Sequence, residues 1–131
     1  TNAIGEAMDH LDDALRDHPP IAGVARVVGV AGTIVTVAAV EIGLHTFDEG
    51  ALHGFVLTKE AAEDVFRTLA TERLADRIAN PGLPRERADI IVGGCCVLVG
   101  IMRRLKLDEL IVSTHNLLDG LVADAVSSER P

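Results

Sequence analysis

Tryptophan and tyrosine are absent from this sequence and phenylalanine occurs three times, so aromatics make up 2% of its 131 residues. Single-stranded nucleic acid is gripped by stacking bases on aromatic faces, and that class of function is excluded. Cysteine is confined to the adjacent pair Cys95 and Cys96, which cannot staple distant segments or supply metal-finger spacing. A reduced, cytoplasmic setting is expected. Positive charge is scarce too: 12 Lys and Arg stand against 20 Asp and Glu, a formal net charge of -8. An acidic surface repels phosphate, which argues against duplex DNA and anionic membranes as partners. The longest apolar runs, Val27–Val40 and Ile90–Met102, fall short of the roughly 18 residues that a membrane span requires. The start, Thr1-Asn2-Ala3-Ile4, has neither Met nor a basic-then-apolar leader. It reads as a cut end, and part of a longer chain is expected.

What is present is core. Apolar residues make up 48% of the chain, enough for one domain with a buried interior. Ile4, Met8, Leu11 and Leu15 recur at helical spacing over residues 3–17, and Pro19-Pro20 should stop that helix. Ala25–Val30 is a β-branched run of strand length. A turn through Gly29, Ala31 and Gly32 follows it, and Thr33 is expected to cap a helix reaching Ile42, with Gly43 at its C-terminal end. Phe47–Gly50 reads as a turn, and 53–57 as a short extended piece. Thr58 should cap a helix over 59–70 with Val65, Phe66 and Leu69 inward, and Thr71 a second, shorter one. Pro84 suits a first helical position. The stretch 86–105 admits a strand at Ile90-Ile91-Val92, but Ile91, Cys95, Leu98, Met102 and Leu105 keep a helical stripe, which favours helix. Leu110-Ile111-Val112 reads as a buried strand. Ser113 or Thr114 should cap a last helix with Leu117, Leu118, Leu121, Val122 and Val126 periodic, and Ser127–Pro131 should fray. Strands alternating with helices predict an α/β layer with parallel strands. Two or three strands make a thin sheet with a face or edge wanting partners.

The glycine turn fails the specific phosphate and dinucleotide templates. Val27 stands where G-x-G-x-x-G needs its first glycine, no lysine follows as in a phosphate loop, and G-x-S-x-G is absent. What remains is a helix N-terminus that offers N–H groups to an anion. The alternative is a turn whose glycines let helix and strand pack closely.

Four ordered segments carry a resemblance. Arg26–Ala39, Arg-Val-Val-Gly-Val-Ala-Gly-Thr-Ile-Val-Thr-Val-Ala-Ala, resembles the G-V-G-G-T-x-T-T-L-A-A segment of the exopolyphosphatase/guanosine pentaphosphate phosphohydrolase (Ppx/GppA) family. Asp48 with His53–Thr58 is similar to its Y-D-x-x-x-x-H-G-x-x-L-T, Pro81–Ile91 to its P-G-L-x-P-x-R-A-D-V-I, and Leu107–Leu121 to its G-L-D-E-I-x-V-S-D-x-G-L-R-E-G-L. The resemblance implies an α/β lobe of the actin, sugar-kinase and heat-shock-ATPase (ribonuclease H-like) type, with few strands and flanking helices. It implies hydrolysis of terminal phosphate from polyphosphate, or of the 5′-phosphate of pppGpp, with Mg²⁺, and homodimers. The family's catalytic carboxylate lies in a first lobe and its D-I-G-G-G-S-T loop opens the second; that string does not occur here. The whole of 1–131 is therefore expected to be the C-terminal portion of a second lobe, contributing one wall of a cleft, with no catalytic residue and no metal ligand of its own. The candidates it implies for ligand binding are Gly29, Gly32, Thr33, Arg87, Arg85 and His53.

Each has a plainer alternative: a packing turn for the glycines and Thr33, an ion pair with Glu86 or Asp89 for Arg87 and its weaker neighbour Arg85, a core turn for His53. Cys95 and Cys96 should pack as small apolar residues, Gly93-Gly94 should admit a close helix, and Arg103, Arg104 and Lys106 should be a solvated helix end. Ala31 replaces the family's second glycine, and Ser113–Gly120 lacks the family's Asp and Arg. Arg26, Arg85 and Arg87 would have to attract a polyanion to an acidic chain. An alarmone or polyphosphate sensor without turnover, or a dimerisation module, is the alternative function.

Overall fold

The computed structural model describes residues 2–17 and 26–128, the first three of them by backbone only. Seven helices and three strands are described: α1 (Asn2–Asp17), β1 (Val28–Gly29), α2 (Gly32–Ile42), α3 (Glu49–Leu52), β2 (Val56–Thr58), α4 (Lys59–Thr71), α5 (Leu74–Ile78), α6 (Ile91–Arg104), β3 (Glu109–Val112) and α7 (Leu117–Ser128), with a 3₁₀ turn at Arg85–Arg87. The Pro19-Pro20 stop, the Ile4 side chain and the tail from residue 129 fall outside the described residues.

The sheet runs β1-β3-β2, with β1 parallel and β2 antiparallel to β3. The parallel expectation therefore holds for one pair only. After α3 the chain reaches the C-terminal end of β3, where Gly54 N donates to Val112 O (2.7 Å), and β2 therefore runs back along β3 from that end. Leu57, Leu110 and Val112 point into the core with Ala62, Val65 and Leu69 of α4 and Ile91, Cys95, Leu98 and Met102 of α6. On the opposite face, register sets Val28, Ile111 and Val56 in one transverse row. Val28 and Val56 stay exposed there.

Several local expectations are corrected. β1 is shorter than the run that suggested it. Phe47–Gly50 is not a free turn: Asp48 accepts a hydrogen bond from Ala51 N (3.2 Å) and starts α3. Thr58 caps α4 as expected, accepting from Ala61 N (3.1 Å). Thr71 ends α4 rather than opening α5, which begins after Arg73. Pro84 precedes the 3₁₀ turn instead of entering a helix. Residues 90–92 belong to no strand, because the helical stripe buries Ile91, Cys95, Leu98 and Met102 together. α7 is capped by Asn116 rather than Ser113 or Thr114: Asn116 Oδ1 accepts from Asp119 N (3.1 Å) and Asp119 Oδ2 from Asn116 N (2.8 Å). None of its residues is buried.

α1 docks on α6 where Gly100 leaves room for the Met8 sulfur. Arg104 hydrogen-bonds Asp12 across that contact and Arg103 reaches Glu63 of α4 at 2.9 Å, so these arginines tie helices together rather than only solvating a helix end. The Arg104 guanidinium holds the Asp12 carboxyl below its usual range. Burial, and to a lesser extent Cys96, pushes the Cys95 thiol up to about 11, so it packs as a neutral apolar group. Cys96 is only half-buried. Among the described residues no helix is long and apolar enough to cross a membrane.

Candidate functional site

β1 and β3 lie side by side and parallel, so their C-terminal ends open on the same edge of the sheet. Ser113 N donates to Gly29 O at 2.9 Å, where the two strands part. Ligands of open α/β sheets bind in the crevice at such an edge. The chain leaves β1 through Val30 and Ala31 and enters α2 at once. Ala31 occupies the N-cap with φ 79° and ψ 175° and offers no side-chain cap. Thr33 therefore does not cap the helix, and among the described residues the first N–H groups of α2 have no side-chain partner.

Two segments close over this turn. The first is Gly82–Arg87, laid along α2. Gly82, at φ 86°, packs on the backbone of Ala39, and the Arg87 guanidinium lies directly over Gly32 at the start of the helix. A Cβ at either glycine would overlap its neighbour. Among the described residues Arg87 takes part in no ion pair, so the pairing with Glu86 or Asp89 does not form. The second segment is α6, where Gly94 receives the Thr33 side chain; a Cβ there would stand 2.8 Å from Thr33 Oγ1. Gly93 faces open space. Together these elements line an open concavity of about 420 Å³, with Gly32, Thr33, Arg87, Gly94, Val97 and Ile101 among its lining residues.

Of the residues singled out in the sequence, Gly32, Thr33 and Arg87 thus share one cavity. Gly29 lies beneath it, buried, with no room for a Cβ beside Ile34 and Leu110. That is the packing reading. Arg85 is exposed and does not line the cavity. Arg26 precedes β1 and lines a separate groove with Lys106 and Glu109, at the opposite end of the strands. The three arginines do not converge.

His53 sits at the end of β3 and is exposed, not a core residue. Gly54 N donates to Val112 O (2.7 Å), and Thr114 N donates to His53 Nδ1 (3.2 Å). A backbone N–H can only donate, so Nδ1 is the acceptor and the neutral ring carries its proton on Nε2. Thr114 Oγ1 bonds Glu49 Oε1 (3.0 Å), and the His115 ring stands edge-on to His53 with centroids 4.7 Å apart. Among the described residues no group of three or more His, Cys, Asp or Glu is placed to hold a metal ion.

Sequence reasoning passed over Arg77. Its Nε donates to Leu69 O (2.9 Å), one terminal nitrogen to Ala88 O (2.9 Å) and the other to Glu72 O (3.1 Å). It thereby ties the end of α4 to the residue after Arg87 and positions the latter. No spacing rule announces a side chain that spans three main-chain carbonyls.

The family model described as the Ppx/GppA phosphatase family matches residues 2–129. Exopolyphosphatase 2 of Mycobacterium tuberculosis is 32% identical over an alignment of 118 residues that covers 86% of this chain and 36% of that protein. The crystal structure of the Aquifex aeolicus Ppx/GppA family member is similar with a TM-score of 0.80 and 26% identity, over 98% of this chain and 42% of that one. An exopolyphosphatase-like protein of known structure gives a TM-score of 0.87 at 26% identity, over 97% and 42% of the two chains. The chain spans about two-fifths of the length of these relatives.

Proposed function

Because the chain belongs to the Ppx/GppA phosphatase family, we propose that it forms one wall of the active cleft of a cytoplasmic phosphohydrolase that releases terminal phosphate from inorganic polyphosphate, or the 5′-phosphate of pppGpp. In this reading the uncapped N–H groups at the start of α2 and the Arg87 guanidinium hold phosphate oxygens. A helix start supplies partial positive charge, and a guanidinium grips two oxygens at once. Thr33 shapes the cavity through Gly94 and Arg77 positions Arg87; Arg85 and His53 lie outside the cavity's lining and take no part in this reading. The observation that carries the proposal is Arg87 lying over Gly32 with no carboxylate among the described residues paired to it.

Hydrolysis also needs a carboxylate to position water. The resemblance puts that group and the D-I-G-G-G-S loop in regions this sequence does not contain, so the chain alone should not turn over. Mg²⁺ belongs to the family's chemistry, but the described side chains make no site for it, and none of the roles proposed for them involves it. A second reading, homodimerisation, draws on the uncovered apolar face of α7.

The test is phosphate release from polyphosphate and from pppGpp by a polypeptide that includes this chain, with the 131-residue chain as control. Release only by the longer protein is expected, and the preferred substrate then names the activity. Replacing Arg87 by Ala should raise KM about tenfold or more, as loss of a charged hydrogen bond does. Release by the 131-residue chain itself, or an unchanged KM in Arg87→Ala, would overturn the assignment.

A further inference from the structure

A second cavity, of about 220 Å³, lies apart from the Arg87 site, between the middle of α2, the loop that follows it and the turn at Gly82–Pro84. Its wall is largely apolar: Ala39, Leu52 and Leu83 are buried in it and Leu44 lines its side. Its polar lining residues are His45, Thr46 and Thr36, and of these only Thr36 is buried. It is 4% exposed, yet its hydroxyl bonds no described residue. A helical threonine ordinarily turns its hydroxyl back to the carbonyl one turn earlier, as Thr71 does to Arg67 O at 2.9 Å. Among the described residues no fully buried side-chain oxygen or nitrogen lacks a partner. The Thr36 hydroxyl therefore opens into the cavity it lines. At the mouth Phe47 is 71% exposed.

We propose that this cavity binds a small planar ring compound carrying one hydrogen-bonding group, which meets Thr36 Oγ1 while the ring lies among the aliphatic side chains and against Phe47. The volume exceeds the roughly 150 Å³ that suffices for benzene in an apolar cavity. A neutral ring suits the inner wall better than a phosphate or carboxylate, because the residues buried there, Ala39, Leu52 and Leu83, offer nothing to a desolvated charge and the polar His45 and Thr46 lie at the exposed side. The proposal stands apart from the phosphohydrolase reading, and either can fail without the other.

The experiment is a titration of the 131-residue chain with phenol and, separately, with adenosine, followed by amide ¹H–¹⁵N spectra. Neither probe carries phosphate, so the Arg87 site is not engaged. Saturable shifts confined to residues 35–47, 52 and 82–83 are expected. Binding of phenol alone assigns the site to a free ring; binding of adenosine as well assigns it to a ring carried on a nucleoside. Thr36→Val keeps the shape and removes the hydroxyl, and should weaken binding about 5-fold. Leu44→Trp fills the space and should abolish it, with an unchanged circular dichroism spectrum. If Leu44→Trp does not fold, Thr36→Val decides. Absence of saturable shifts with both probes overturns the proposal, as does undiminished binding in Thr36→Val.

Discussion

At Ala31 the chain turns from β1 into α2 with φ 79° and ψ 175°, a region that costs a residue with a Cβ on the order of 1–3 kcal/mol. The resembling family segment has glycine there, and the geometry shows what that glycine is for. Two consequences follow at the scale of single residues. Ala31→Gly should stabilise the fold by about 1 kcal/mol once the extra freedom of an unfolded glycine is subtracted. Urea unfolding followed by circular dichroism checks it, and a loss of stability would mean that the turn holds Ala31 without strain. The same substitution leaves Gly32 and Arg87 in place, so any change in phosphate affinity would report the turn's rigidity alone. That an alanine sits at positive φ was not legible in the sequence. β-branched periodicity gives the strand and the helix on either side, but not the torsion that joins them.

Among the elements, the long helices were the legible part. α4 and α6 each repeat apolar residues at helical spacing and bury them against one another, so period alone located them. The short strand at Leu110–Val112 was legible from its apolar run, but segments with neither run nor period escaped because tertiary contacts define them. The segment from Gly82 to Arg87 has no period; it is fixed by a glycine pressed on the Ala39 carbonyl at one end, a guanidinium over Gly32 at the other, and Arg77 bonded to Ala88 O behind it. Gly82→Ala tests that frame. A Cβ there must occupy φ 86° and displace the α2 backbone. The two penalties together should cost about 2 kcal/mol or more. Because the segment carries Arg87, the amide signals of Gly32 and Thr33 should move as well. A cost below about 0.5 kcal/mol, the range of an ordinary surface substitution, would show that the segment does not clasp α2.

The whole molecule has the family's α/β fold, built one-sided. Its helices gather on the face of the sheet that carries Leu57, Leu110 and Val112, and α7 leaves that assembly without burying a single residue. Leu117 is 80% exposed, and Leu118, Leu121, Val122 and Val126 continue the same apolar surface. The spacing of these residues was legible as a helix, but periodicity cannot say what covers the stripe. Apolar residues grouped this way are characteristic of association surfaces. An isolated helix of this length is also marginal in water without a packed face. If copies of the chain associate through α7, light scattering should give a mass near twice 13.9 kDa that falls on dilution. Leu118→Asp with Leu121→Asp should then give the monomer mass at all concentrations. Both leucines are exposed in the single chain, so the core and its unfolding midpoint should hardly change. A monomer before substitution would remove α7 as a homodimer contact. A dimer that survives both aspartates would move the interface to the other uncovered apolar surface, the row Val28, Ile111 and Val56, where Val28→Lys is the corresponding probe.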